Sequence, residues 1–278
     1  MKIDAHQHFW KFNTTEYAWI SDKMKVLKRD FLPDEMLQEL HGIGFDGSIA
    51  VQARQKPEET RWLLDIAAGN EFVKGVVGWI DLCSDECGNQ LNEFVTHSKF
   101  VGVRHVLQDE SDERFMLRES FIRGLSILGK YDIVYELLIL PDHLRIAEEL
   151  VMKFPEQKFV LDHIAKPMIK SGVISQWKED ICRLARHPNV NCKLSGMVTE
   201  ASWGRWKKED FLPYLNVVMD AFGTSRLMIG SDWPVCTVSS SYNKAMNLVI
   251  DYLASLNQAE RDLVLGLNAV RTYKLQNQ

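Results

Sequence analysis

Near its start the chain reads Ile3-Asp4-Ala5-His6-Gln7-His8, and near its end Leu227-Met228-Ile229-Gly230-Ser231-Asp232-Trp233-Pro234. Each is a short apolar run that stops abruptly in ionisable side chains. The same event recurs between them. Short β-branched runs predict strands over Lys2–Ala5, Gly47–Gln52, Phe72–Trp79, Phe100–Arg104, Asp132–Leu138, Lys158–Leu161, Val190–Lys193 and Arg226–Ile229. Helical periodicity fills most of the intervals, as in Pro57–Ala68, Pro141–Lys153 and Asp210–Phe222. Strand–helix alternation implies a parallel sheet, because each return crossover needs a helix to cover the sheet. Continuous apolar runs such as Ser48-Ile49-Ala50-Val51 suit strands buried on both faces. Eight such units without a break predict a closed, TIM-like (β/α)8 barrel, one domain over residues 1–278. An open dinucleotide-binding sheet is disfavoured: Gly42-Ile43-Gly44 precedes a strand instead of following one, and the third glycine is missing.

The 278 residues are 46% hydrophobic and 26% charged with a formal net charge of -5, which leaves no basic face for nucleic acid or an anionic membrane. A small-molecule partner is expected. No run approaches the ~18 apolar residues of a membrane span, and no targeting segment precedes the first strand. The five cysteines, Cys83, Cys87, Cys182, Cys192 and Cys236, are an odd number spread along the chain. They read as reduced thiols of a cytoplasmic protein. Cys83 and Cys87 lack the second cysteine pair that a structural metal site would need.

In a barrel of this kind, catalytic groups stand at the C-terminal strand ends, above a packed core. Here the first strand ends in His6-Gln7-His8, whose alternate imidazoles share one face. The second ends in Gln52, with Arg54 two residues on, and the fourth in Arg104-His105. Glu136 interrupts an apolar fifth strand. The sixth runs into Asp162-His163, the seventh into Lys193-Leu194-Ser195-Gly196, and the eighth into Asp232-Trp233. Any one of these has an ordinary explanation: a surface pair, a cap or an ion pair. Their coincidence at successive strand ends does not, because burying so many ionisable groups is costly unless they are paired, metal-bound or functional. His41, His97, His143 and His187 fall away from strand ends and read as solvated or capping residues.

The opening and closing motifs resemble those of the amidohydrolase superfamily. Gly102-Val103-Arg104-His105, Leu161-Asp162-His163-Ile164-Ala165-Lys166-Pro167 and Lys193-Leu194-Ser195-Gly196 sharpen the match. Together they are similar to the amidohydrolase-2 branch that contains sugar lactonases of the L-fuconolactonase and L-rhamnonolactonase type. The resemblance covers essentially the whole chain. It implies a functional set of His6, His8, His163 and Asp232. Binuclear members add a lysine or glutamate on the fourth strand and a histidine on the fifth, where this chain has Arg104-His105 and Glu136. The expectation is therefore at most one divalent ion, Zn²⁺ or Mn²⁺, held by His6, His8 and Asp232, or none, with the histidines polarising the carbonyl directly.

On that resemblance the chain is expected to be a hydrolase of carbohydrate metabolism that opens an aldonolactone by attack of water on the ring carbonyl. Asp232 is the expected general base. His163, with the first-strand histidines or their metal, would stabilise the developing oxyanion, and Arg104 would bind substrate oxygens or the new carboxylate. Gln52, His105, Glu136 and Lys193 are expected to bind substrate. Trp10 and Trp233 would wall the sugar ring, or simply pack at the barrel rim. The competing readings are a metal-dependent decarboxylase of the same branch and a non-catalytic sugar-acid-binding barrel. Residues 12–29, 108–114 and 197–207 would select the substrate. The last, with Trp203 and Trp206, reads equally as a lid or a packing turn.

Overall fold

In the computed structural model, which describes residues 1–275, all eight expected strands form one parallel sheet in sequence order. They are β1 Ile3–Gln7, β2 Gly47–Val51, β3 Val73–Gly78, β4 Phe100–His105, β5 Val134–Leu137, β6 Phe159–Leu161, β7 Val190–Leu194 and β8 Leu227–Ile229. Helices α1 Pro33–Ile43, α2 Pro57–Gly69, α3 Cys87–Phe94, α4 Glu119–Leu128, α5 Leu144–Lys153, α6 Ser175–Leu184, α7 Leu212–Phe222 and α8 Tyr242–Tyr252 follow the strands in turn. Short α9 Gln258–Asp262 and α10 Asn268–Thr272 end the described chain. Local chemistry sets the boundaries. Pro57 opens α2 with Glu58 and Glu59 in its first turn, where the free N–H groups favour negative charge. Strand β5 starts two residues later than expected, because Asp132 sits in the left-handed region (φ 55°) at the end of a tight turn.

The sheet closes between β8 and β1 through bonds made beyond the end of β8. The Asp232 N–H donates to the His6 carbonyl (2.8 Å) and the His8 N–H to the Trp233 carbonyl (2.7 Å). Lower in the seam a side chain replaces the ladder: Asp4 Oδ1 accepts from the N–H groups of Ser231 (2.9 Å) and His6 (3.1 Å). The catalytic-end residues of the first and last strands are thus bonded to each other.

Two apolar layers result. One joins the outer strand faces to the surrounding helices. The other fills the barrel interior with Ile3, Ala5, Ile49, Val51, Val77, Val101, Val134, Val160 and Met228, and Tyr273 and Leu275 from the C-terminal segment plug it from below. One irregularity matters for function. The β1–β2 register advances three residues from Asp4 to Gln7 against two on β2, from Ser48 to Ala50. This bulge reverses the in–out phase, so Ile3 and Ala5 line the floor and His6 and His8 still point inward above them.

Candidate active site

Eight ionisable groups meet above that floor. His6 and His8 face each other with Nε2 atoms 3.2 Å apart, and Asp232 Oδ1 lies 3.3 Å from His8 Nε2 and 3.9 Å from His6 Nε2. His163 Nε2 is 3.9 Å from the same oxygen. Arg104 Nη1 lies 3.2 Å from His6 Nε2 and donates to Asp162 Oδ2 at 2.9 Å. Lys193 Nζ reaches Glu136 Oε1 (2.6 Å), Asp162 Oδ1 (3.1 Å) and His6 Nδ1 (3.2 Å). All of these side chains are buried, so the cluster survives only because the charges are matched at contact distance.

Backbone strain aims several of them. His163, Ile164, Ala165 and Lys166 all have positive φ (53°, 48°, 59° and 48°), and Asp232 has φ 57°. A left-handed conformation costs roughly 1–2 kcal/mol per non-glycine residue and is rarely held in succession; strain of this kind concentrates where function requires a particular aim. The turn is tied down by the Trp177 indole N–H, which donates to the Ile164 carbonyl at 2.8 Å. Two glycines make room for the imidazoles. A Cβ on Gly196 would stand 2.5 Å from His163 Nδ1, and one on Gly230 2.8 Å from the His6 Cβ.

Environment then sets the protonation states. Burial holds the His6 imidazole well below its ordinary value despite the pull of Asp162, and draws His163 down to about 4 despite Asp232. Both rings are neutral at neutral pH. Burial pushes Asp232 upward, but His163, His8 and Lys166 outweigh it and hold the carboxyl below its ordinary value. Asp162 is likewise opposed by burial and held well below its ordinary value by Lys193, His6 and Arg104. Glu136, by contrast, is raised to about 7, chiefly by burial and then by Asp162, with Lys193 and Arg104 opposing.

The donor chemistry suits a divalent metal. His8 Nδ1 donates to the Val51 carbonyl (2.7 Å), which leaves its Nε2 lone pair facing His6 and Asp232. Asp162 Oδ1 lies 3.3 Å from His6 Nδ1 and can fix that ring in the same sense. Four bonds of about 2.1 Å to tetrahedral corners would place donor atoms about 3.4 Å apart, close to the separations among His6, His8 and Asp232. The group His6, Asp162 and His163 also converges, but Asp162 is already engaged by two cations. Arg104 and Lys193 stand against His6 and Asp162, which makes a second dication beside them electrostatically unfavourable.

The structure brings Gln52, Glu136 and Lys193 to this cluster and leaves them fully enclosed. Gln52 accepts from Arg104 through both its backbone oxygen (2.5 Å) and Oε1 (3.1 Å). His105 is not part of it: it points to the helix layer, stacks on Phe115, contacts Glu110 (2.7 Å) and receives the Trp79 indole N–H (3.3 Å). Trp10 and Trp233 are enclosed as well. Trp10 packs on Tyr17 and Phe31 and donates to the Arg29 carbonyl, while Trp233 packs on Phe9 and Phe31. In the 197–207 loop, Trp206 is a packing residue bonded to Ser239, whereas Trp203 is 37% exposed. His143 is buried and caps its turn by accepting the Leu140 N–H. Sequence reasoning counted Asp162 among the strand-end polar residues but gave it no role, although its two-residue step from the inward Val160 marked it. It also passed over Ser195, whose Oγ lies 2.9 Å from His163 Nδ1.

All five cysteines are free, and no described helix is long and apolar enough to cross a membrane. The amidohydrolase family model matches residues 3–275. The chain is 38% identical to an L-fucono-1,5-lactonase of Burkholderia multivorans over 99% of its own length and 96% of that protein's. It is 36% identical to an L-fucono-1,5-lactonase of Burkholderia ambifaria, over 96% and 90% respectively. A crystal structure of a B. multivorans amidohydrolase with bound zinc superposes with a TM-score of 0.95 at 38% identity, over 99% of this chain and all of that one. A full-length family match and a strand-end set of His6, His8, His163 and Asp232 lead to one conclusion: the chain belongs to the amidohydrolase family.

Proposed function

We propose that the protein is a cytoplasmic hydrolase of carbohydrate metabolism that opens a sugar-derived 1,5-lactone. The observation that carries this reading is Asp232: an ionised carboxylate set against the neutral imidazoles of His6 and His163 at the C-terminal strand ends. The 36–38% identity to L-fucono-1,5-lactonases supports the substrate class. The ring carbonyl oxygen takes the Arg104 Nη1–H, beside the His6 and His8 Nε2 lone pairs that a metal would occupy. Asp232 accepts a proton as water adds to the carbonyl carbon, and returns it to the ring oxygen as the carbon–oxygen bond breaks. A weak base suffices because a lactone is an activated ester. The Ser195 hydroxyl donates to His163 Nδ1, which leaves the Nε2–H to stabilise the oxyanion. His6, His8 and Asp232 would hold a zinc ion, which when bound supplies positive charge that acidifies water and polarises the carbonyl.

Gln52 and Lys193, being enclosed, position Arg104 and His6 in this scheme. Lys166 and Glu200, both half-buried beside Asp232, are the polar groups available to sugar hydroxyls. A panel of aldono-1,5- and 1,4-lactones, followed by proton release, tests the reading. Turnover of a 6-deoxy aldono-1,5-lactone is expected; inertness towards the whole panel would sink it. Exhaustive chelation with elemental analysis tests the zinc: an unchanged rate in metal-free protein assigns carbonyl polarisation to His163 and Arg104 alone.

A further inference from the structure

The barrel floor and the reaction centre are joined by one polar path. Helix α10 is pinned beneath β8 by Asn268, whose amide donates to the carbonyls of Thr224 and Leu227, both at 2.7 Å. Beyond Thr272, the last residue of α10, Tyr273 points up into the interior and Leu275 packs with it in the same apolar layer. Its buried hydroxyl donates to Glu136 Oε1, the same oxygen that accepts from Lys193 at 2.6 Å. Lys193 in turn lies 3.2 Å from His6 Nδ1 and 3.1 Å from Asp162. Elements from the start, the middle and the end of the sequence thus meet in a chain running Tyr273–Glu136–Lys193–His6.

We propose that Tyr273 is a positioning residue of the reaction, acting through Glu136 and Lys193 on His6. This rests on the hydrolase reading above. The groups facing Glu136 are Lys193 from β7, Arg104 from β4, Asp162 after β6 and Tyr273 from below. With Glu136 ionised, two carboxylates (Glu136, Asp162) balance two cations (Lys193, Arg104) beneath His6. Protonating Glu136 leaves one uncompensated positive charge in a water-poor interior, which makes Asp232 a poorer proton acceptor and frees Lys193 to shift. A hydrogen bond donated to the ionised form favours it, so Tyr273 extends the working range of the site towards acid. Burial places the Glu136 transition at about 7, where the extension counts.

The test compares wild type and Tyr273→Phe by direct product analysis of lactone opening between pH 5.5 and 8 (about these limits), alongside carboxyl ¹³C NMR of glutamate-labelled protein, with Glu136→Gln assigning the resonance. Loss of the phenol should move both the Glu136 titration and the acid limb of kcat/KM up by about one pH unit, a loss of about tenfold at low pH that fades at high pH. A rate lowered equally at every pH, or a titration that moves without the limb, overturns the proposal. If Tyr273→Phe does not fold, Glu136→Gln carries the test: a retained acid limb near neutrality overturns the proposal. If the wild type opens no lactone, the hydrolase reading fails by itself. The positioning role then falls with it, while an unmoved titration would independently refute the Tyr273–Glu136 link.

Discussion

The floor and the mouth of this barrel are built from the same strands yet obey different rules. β5 contributes Val134 to the floor and Glu136 two residues later; β6 contributes Val160 and then Asp162; β8 contributes Met228 and leads into Asp232. On the floor, side chains are neutral and mostly branched, and they gain stability simply by excluding water. At the mouth the inward residues are polar and, Gln52 apart, ionisable, and they are tolerable only because a partner of opposite sign, or a donor, is in contact. The comparison separates residues that hold the barrel from residues that give it chemistry, within a few ångströms of each other.

The largest break in that contrast should come from Asp232→Asn. Turnover is expected to fall by roughly 10²–10⁴-fold, the usual worth of a positioned base, with an unchanged melting temperature. Near-normal turnover would remove Asp232 from the base role. The floor should respond the opposite way. Ile49→Ala leaves a cavity among Ala5, Val51 and Val77 and is expected to cost about 2–5 kcal/mol in chemical denaturation, with little change in kcat for the protein that remains folded. A large kcat loss there would mean that floor packing sets the geometry of the mouth.

The smallest effect is expected at the seam. Burial lifts Asp4 to about 6, although it accepts from Ser231 and His6. A carboxyl raised on folding contributes stability that is fully present below its unfolded value, near 4, and is lost as pH rises through about 6. Asp4→Asn keeps an acceptor for both N–H groups and removes the charge. Thermal melts between those two pH values should show a decline in wild type that this variant lacks; parallel curves would mean that folding does not raise the Asp4 carboxyl.

Much of this was legible in the residues. Apolar runs ending in His6, His8, Arg104, His163 and Asp232 identified both the strands and the mouth, because a strand buried on both faces has a plain apolar signature and a polar group at its end violates it. What a run of residues does not encode is the direction of each side chain once strands are tilted, bulged and closed. His105 looked equivalent to Arg104, yet successive residues face opposite sides, and the pleat sends one inward and the other to the helices. Trp10 and Trp233 read equally as walls for a sugar or as packing at the barrel rim, and the structure packs both out of reach of solvent.

The sequence by itself determined the eight-unit barrel, its family and the histidine–aspartate set, since each depends on local pattern and order along the chain. Only the tertiary structure decided that the β1 bulge keeps His6 and His8 facing inward, that Asp162 is the shared counter-ion of Arg104 and Lys193, and that Tyr273 stands beneath Glu136. Those contacts join residues up to 137 positions apart in sequence. They exist only because barrel closure brings the two ends of the chain and the middle of each strand into one water-poor space, where an unmatched charge is too costly to leave alone.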